Sequence, residues 1–156
     1  MTIIDTVTPH LQALVQQLSP QQRKALTREI GKQLAQSQRK RIASQKNPDG
    51  TPYAPRKVQK RVKRGKVKQK AMFAKLRTAR LMKTRTNGEG VEIGYAGQAS
   101  FIADIHQHGK SARVLRHLDW KVKYDQRELL GFSGDDQAMI ENIVLAHLAG
   151  DKKGGY

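Results

Sequence analysis

The 156-residue chain contains no cysteine. That excludes disulfides, thiol nucleophiles and thiolate metal ligands, and it fits synthesis in a reducing cytoplasm. Aromatic residues are only 5% of the composition, and mean hydropathy is -0.69. The apolar material suits the core of one domain, but not a generous one. No apolar run approaches the roughly eighteen residues that a membrane span needs. The opening "MTIIDTVTPH" has no basic segment leading into an apolar one, so no secretory signal is expected. The expectation is one soluble domain over residues 1–156, with no membrane partner.

The most informative shortage is of acid. No Asp or Glu occurs between Asp49 and Glu89, while the thirty positions from Arg56 to Arg85 hold fourteen Lys or Arg. The formal net charge is +17, and it is unevenly placed. Residues 20–86 carry a net +20, whereas residues 119–156 carry a net -2. Such self-repulsion opposes compaction unless a polyanion or an acidic surface offsets it. A polyanionic neighbour is implied.

Two helix starts are written out near the N-terminus. Thr8-Pro9 and Ser19-Pro20 each put a capping residue before a proline at the first helical position. Gln22 completes a capping box with Ser19. Leu11, Leu14, Val15 and Leu18 follow the first cap with amphipathic spacing. Leu26, Ile30 and Leu34 form a four-residue apolar row after the second, and Ile42 resumes it two turns later. Arg23, Lys24, Arg28, Lys32, Arg39, Lys40 and Arg41 crowd the remaining surface, so a long, basic-faced helix is predicted over 20–45. "NPDGTPYAP" ends it, through Pro48 and the Asp49-Gly50 turn.

The stretch from Arg56 to Lys70 has little apolar periodicity and reads as a basic flexible arm. "LMKTRT" and "VEIGYA" flank "NGEG", a hairpin pattern in which Asn87-Gly88 supplies the tight turn. "ASFIADIHQHG" predicts a short helix capped by Ser100 and ended by Gly109. "DWKVKYD" alternates Trp120, Val122 and Tyr124 like a strand. Ser133 caps a last helix, with Ile140, Ile143, Val144 and His147 on one face, and "GDKKGGY" is a loose tail. The class is α+β: a long N-terminal helix and a C-terminal helix packed on a small antiparallel sheet, with a basic extended arm.

Catalytic patterns are missing. His106 and His108 would share a face only on a strand, and zinc wants three or four ligands. Asp135 and Asp136 suit the first turn of a helix, where acids favour its dipole. Neither a phosphate loop nor G-x-S-x-G is present. A nuclease would need acids or histidines beside the basic surface, where Glu29 and Asp49 stand nearly alone. No enzyme, cofactor or metal is expected. Arg56, Lys57, Lys60, Arg61, Lys63, Arg64, Lys66, Lys68 and Lys70 would meet DNA phosphates without reading bases, since Phe73 is the only aromatic between Arg56 and Arg85. The same cations would equally suit an acidic protein surface.

Four phrases in order, "SPQQRKALTREIGKQLAQSQRKRIASQKNPDGTPYAPRK", "AMFAKLRTARLMK", "IHQHG" and "YDQRELLGFSGDDQAMIENIVLAHL", resemble the virion morphogenesis or tail completion proteins of Mu-like and related contractile-tailed phages. The likeness runs from about Leu11 to His147. It is carried by Asn47, Pro48, Asp49, Gly50, Tyr53, Pro55, Arg56, Phe73, Leu76, His106, Gly109, Tyr124, Arg127, Leu129, Leu130 and Gly131. The family pattern often has an aromatic where His108 stands and a proline where Asp125 stands. The resemblance implies a structural protein of the virion neck, assembled in the host cytoplasm. Its subunits would form a ring, hexameric or dodecameric, around the DNA channel, joining the tail to the DNA-filled head. Portal, adaptor, tail terminator or tail tube proteins would adjoin it. On this reading His106, His108, Arg127, Leu129, Leu130 and Phe132 are candidate subunit-contact residues, although ordinary core packing also accounts for Leu129, Leu130 and Phe132. The rival is a sequence-independent nucleic-acid-binding protein acting through Lys/Arg-phosphate contacts.

Overall fold

The computed structural model describes residues 9–56, 71–87, 90–113 and 119–150. Of the arm expected over 56–70 and the tail expected over 150–156, residues 57–70 and 151–156 lie outside the described residues, as do the expected cap Thr8 and the Gly88 of the expected Asn87-Gly88 turn. Four helices and two two-stranded antiparallel sheets make up the rest, in the order α1 (Pro9–Gln16), α2 (Pro20–Ala43), β1 (Met82–Asn87), β2 (Gly90–Tyr95), α3 (Gly97–His108), β3 (Ser111–Arg113), β4 (Lys121–Lys123) and α4 (Gly134–Leu148). The α+β class holds, with two small sheets in place of one.

Helix α2 is the organising element. Ser19 and Gln22 close a reciprocal capping box at its start, at 3.2 and 2.9 Å. Leu26, Ile30, Leu34 and Ile42 are buried as the apolar row requires, each side chain stabilising the fold by roughly 1.5–3 kcal/mol relative to exposure. The β1–β2 hairpin packs on α2, in the register Met82 to Tyr95 through Asn87 to Gly90. Gly31 makes the approach close: a Cβ there would meet Thr86 Cγ2 at 2.9 Å and Val91 Cγ1 at 3.2 Å. Helix α4 packs against α2, through the buried Ile140 and Val144.

Three local details depart from the sequence reading. Helix α3 begins three residues before Ser100, with Ala96 at its cap and no side-chain cap bond; Ser100 lies within its first turns. Gly109 does end α3, in the left-handed conformation at φ 64°. Strand β4 is only three residues long and pairs with β3; Val122 and Tyr124 are half-buried as the alternation requires, but Trp120 lies before the strand and stays 66% exposed. Asp136 does more than complement a helix dipole. It is buried, and it accepts the Ser133 N–H while Ser133 Oγ accepts the Asp136 N–H.

Candidate functional site

The segment Arg127–Gly131 bends at Leu129 and Leu130 and has no neighbouring strand. Backbone buried without a strand beside it must find other partners for its N–H and C=O groups. Side chains supply most of them. Asn47 Oδ1 accepts the Glu128 N–H at 3.0 Å, and the Glu128 carbonyl accepts from Tyr53 Oη at 2.8 Å and Arg41 Nη1 at 3.0 Å. Gln107 Oε1 accepts the N–H groups of Leu129 and Leu130, and its Nε2 donates to the Leu130 carbonyl. The Leu129 carbonyl accepts from Arg41 Nη2 at 2.7 Å. Gln38 both donates to the Gly131 carbonyl at 2.8 Å and accepts its N–H at 3.2 Å. The one backbone partner is the His106 carbonyl, which accepts the Arg127 N–H. Side chains from α2, α3 and the turn after α2 here take the place of a sheet ladder.

Side chains also fasten the backbone on both sides of residues 57–70, Arg127 on one side and Gln45 on the other. The Arg127 guanidinium is buried and donates to the carbonyls of Ala54 at 2.8 Å and Pro55 at 3.0 Å. On the other side, Gln45 exchanges two bonds with the backbone of Met72, both 2.9 Å. Four rings then stack edge to face: Tyr53 on Phe73, Phe73 on His106, and His106 on Tyr124, with centroids 5.6, 4.8 and 5.2 Å apart. Each such pair adds about 0.5–1.5 kcal/mol beyond its buried area. Burial, and then the nearby Arg127 charge, push the His106 pKa below its ordinary value, favouring neutral imidazole.

The two histidines of "IHQHG" diverge because the segment is helical. His106 lies in the ring stack, while His108 is exposed and bonds Asp104 at 2.9 Å. Lys110 also pairs with Asp104, at 2.6 Å, and its hydrogen bond is the main influence holding that carboxyl below the usual range. Among the described residues no three His, Asp or Glu side chains converge as a metal site would need. A groove of about 500 Å³ between α2 and the start of α4 is walled by Gln33, Gln36, Lys40 and Ser133, with Asp135 as its one carboxylate and no histidine. Acid–base chemistry asks for more than that.

Of the other residues expected at subunit contacts, Leu129 is fully buried, and Leu130 and Phe132 are half-buried beside the core. Arg56 is exposed. The remaining cations expected to meet DNA, Lys57, Lys60, Arg61, Lys63, Arg64, Lys66, Lys68 and Lys70, lie outside the described residues. Exposed apolar groups sit elsewhere. Phe101 is 65% exposed and Ile102 is 42% exposed, both on α3; the sequence pattern predicts Ile102 inside together with Ile105, but only Ile105 is buried, because one helical step turns Ile102 away from the core side.

The family model for phage virion morphogenesis matches residues 4–149. The chain belongs to the phage virion morphogenesis family. It is also 48% identical, over 140 residues, to the tail completion protein S of Escherichia phage P2, covering 88% of this chain and 92% of that protein. No solved structure matches the chain. For this virion morphogenesis protein the site is therefore an architectural one. The motifs that carry the family resemblance, "NPDG" and "RELLG", meet in the side-chain ladder and hold each other in place.

Proposed function

We propose that this chain is a structural tail completion protein of the virion. It joins the finished tail to the DNA-filled head as an oligomeric ring around the DNA channel. Its 48% identity to a tail completion protein over most of both chains supports the tail role. The observation that carries the assembly role is the exposure of Phe101 and Ile102 on α3. A chain with so few aromatics gains nothing in its own fold from leaving one in water, and aromatics are enriched at protein interfaces. Phe101 and His108, seven residues apart, share one side of α3. That side is the face offered to a neighbouring subunit or tail protein. Leu130, Phe132 and His106 are half-buried and keep some surface for a neighbour, while the buried Arg127 and Leu129 act by holding the local shape.

The basic segment from Arg56 to Lys70 faces the DNA channel or an acidic ring beside it, neutralising charge without reading sequence. Two variants supplied to phage lacking this gene test both parts. One is Phe101→Glu; the other changes Lys60, Arg61, Lys63 and Arg64 together to Glu. Each is expected to yield folded protein with unjoined heads and tails. Normal particle yield from both would overturn the proposal.

A further inference from the structure

Helix α2 carries seven cations and one acid, Glu29, whose carboxylate bonds Gln33 one turn on. Four of the cations, Lys24, Arg28, Lys32 and Arg39, fall within about 80° of one another on the helix surface, at 100° per residue. Lys24, Arg28 and Lys32 are exposed and Arg39 is half-buried. None of the four makes an ion pair among the described residues, where every salt bridge involves α3 or the segments flanking β3 and β4. At 1.5 Å per residue the row is about 22 Å long and straight, roughly two-thirds of a turn of B-form duplex.

We infer that this row is a second polyanion-binding surface, which lies along the phosphate backbone of double-stranded nucleic acid. It is separate from residues 56–70, and the inference stands whichever way that segment faces. The inner side of α2 is occupied by the hairpin and α4. The helix therefore cannot sink into a groove, and contact is with phosphates and not base edges. Beside the row Gln21, Ala25 and Gln36 are exposed, and Ala35, which lies within it between Lys32 and Arg39, is buried; none of them is aromatic or large and apolar. A protein interface would place an apolar core among such charges, and a single-strand site would place stacking rings there. A rigid row of unpaired cations without either fits the regular charge of a duplex.

The test is fluorescence anisotropy of the full chain with a 20-base-pair duplex of arbitrary sequence, titrated between 50 and 200 mM salt. Each phosphate contact contributes about 0.9 to the slope of log affinity against log salt. Changing Lys24, Arg28, Lys32 and Arg39 together to Gln should make that slope shallower by about 3 to 4 and weaken binding at least tenfold at 50 mM salt. Glutamine keeps the helix propensity nearly unchanged. Should the fourfold variant fail to fold, Lys24→Gln with Lys32→Gln should still remove about 2 from the slope. A parallel variant with Lys60, Arg61, Lys63 and Arg64 changed to Gln should subtract its own share independently. An unchanged slope in a folded α2 variant would overturn the inference. So would loss of all salt dependence in the parallel variant alone. Salt-sensitive capture of polyglutamate by the native chain, lost in the α2 variant while duplex binding persists, would overturn it in favour of an acidic protein partner.

Discussion

Replacing Gly131 with alanine probes the junction between the two family motifs. A Cβ at residue 131 would lie 2.4 Å from Pro48 Cγ and 3.1 Å from Pro48 Cβ. Carbon pairs rest at about 3.5–4.0 Å, so one segment must retreat by more than about 1 Å. Neither is free to do so. Gln38 grips both backbone groups of Gly131, while Pro48 sits in a turn closed by Gly50 and Thr51 and tied by Asn47 to Glu128. Gly131 is not at a positive φ, so the penalty is steric and owes nothing to backbone preference. Overpacking of this kind costs about 1–3 kcal/mol. For a chain of this length that lowers Tm by about 3–10 °C. Pro48→Ala deletes the ring carbon that would be struck, so the double variant should lose less than the sum of the singles, by about 0.5–3 kcal/mol. Thermal unfolding of the four proteins by circular dichroism measures this coupling. Strict additivity would refute the contact as the cause.

Three further outcomes are expected. Gln38→Leu keeps the volume but leaves the N–H and C=O of Gly131 without their partner; at about 1–3 kcal/mol per unsatisfied group, denaturant titration should show a loss of about 2–6 kcal/mol. Tyr95 has its hydroxyl buried without a partner among the described residues, and burial raises its pKa. Tyr95→Phe should therefore be neutral or stabilising by up to about 1 kcal/mol, and a clear loss would reveal a hydrogen bond at that hydroxyl. His106 has a lowered folded pKa, so the unfolded chain binds its proton first as pH falls through about 6.5. Stability from this group is complete above that pH and declines below it. The drop in Tm between pH 7.5 and 5.5 should shrink in His106→Gln, and an equal drop would point to another group.

What the sequence announces is mostly what it enforces locally. The Ser19 and Ser133 caps, the proline at the start of α2 and Gly109 act within a few residues, and the structure places all of them as their chemistry requires. The side-chain ladder was hidden because its bonds span most of the chain: Arg41 reaches carbonyls 87 and 88 residues away. In sequence Arg41 is one more cation on a basic helix. Gln38 left a legible trace. It occupies the empty place in the apolar row between Leu34 and Ile42, and it is fully buried; a polar residue in an apolar row is a buried hydrogen-bonding group waiting for its partner. Gln45 and Phe73 adopt positive φ at 58° and 65° without being glycine. Gln45 is held so by its bonds to Met72 and Ile42, contacts that no local pattern specifies.

Electron microscopy of lysates from phage lacking this gene tests the central claim most directly. DNA-filled heads beside separate, full-length tails are the predicted result, because a protein that joins them would be missing after each had been completed. Intact infectious particles in those lysates would contradict the account.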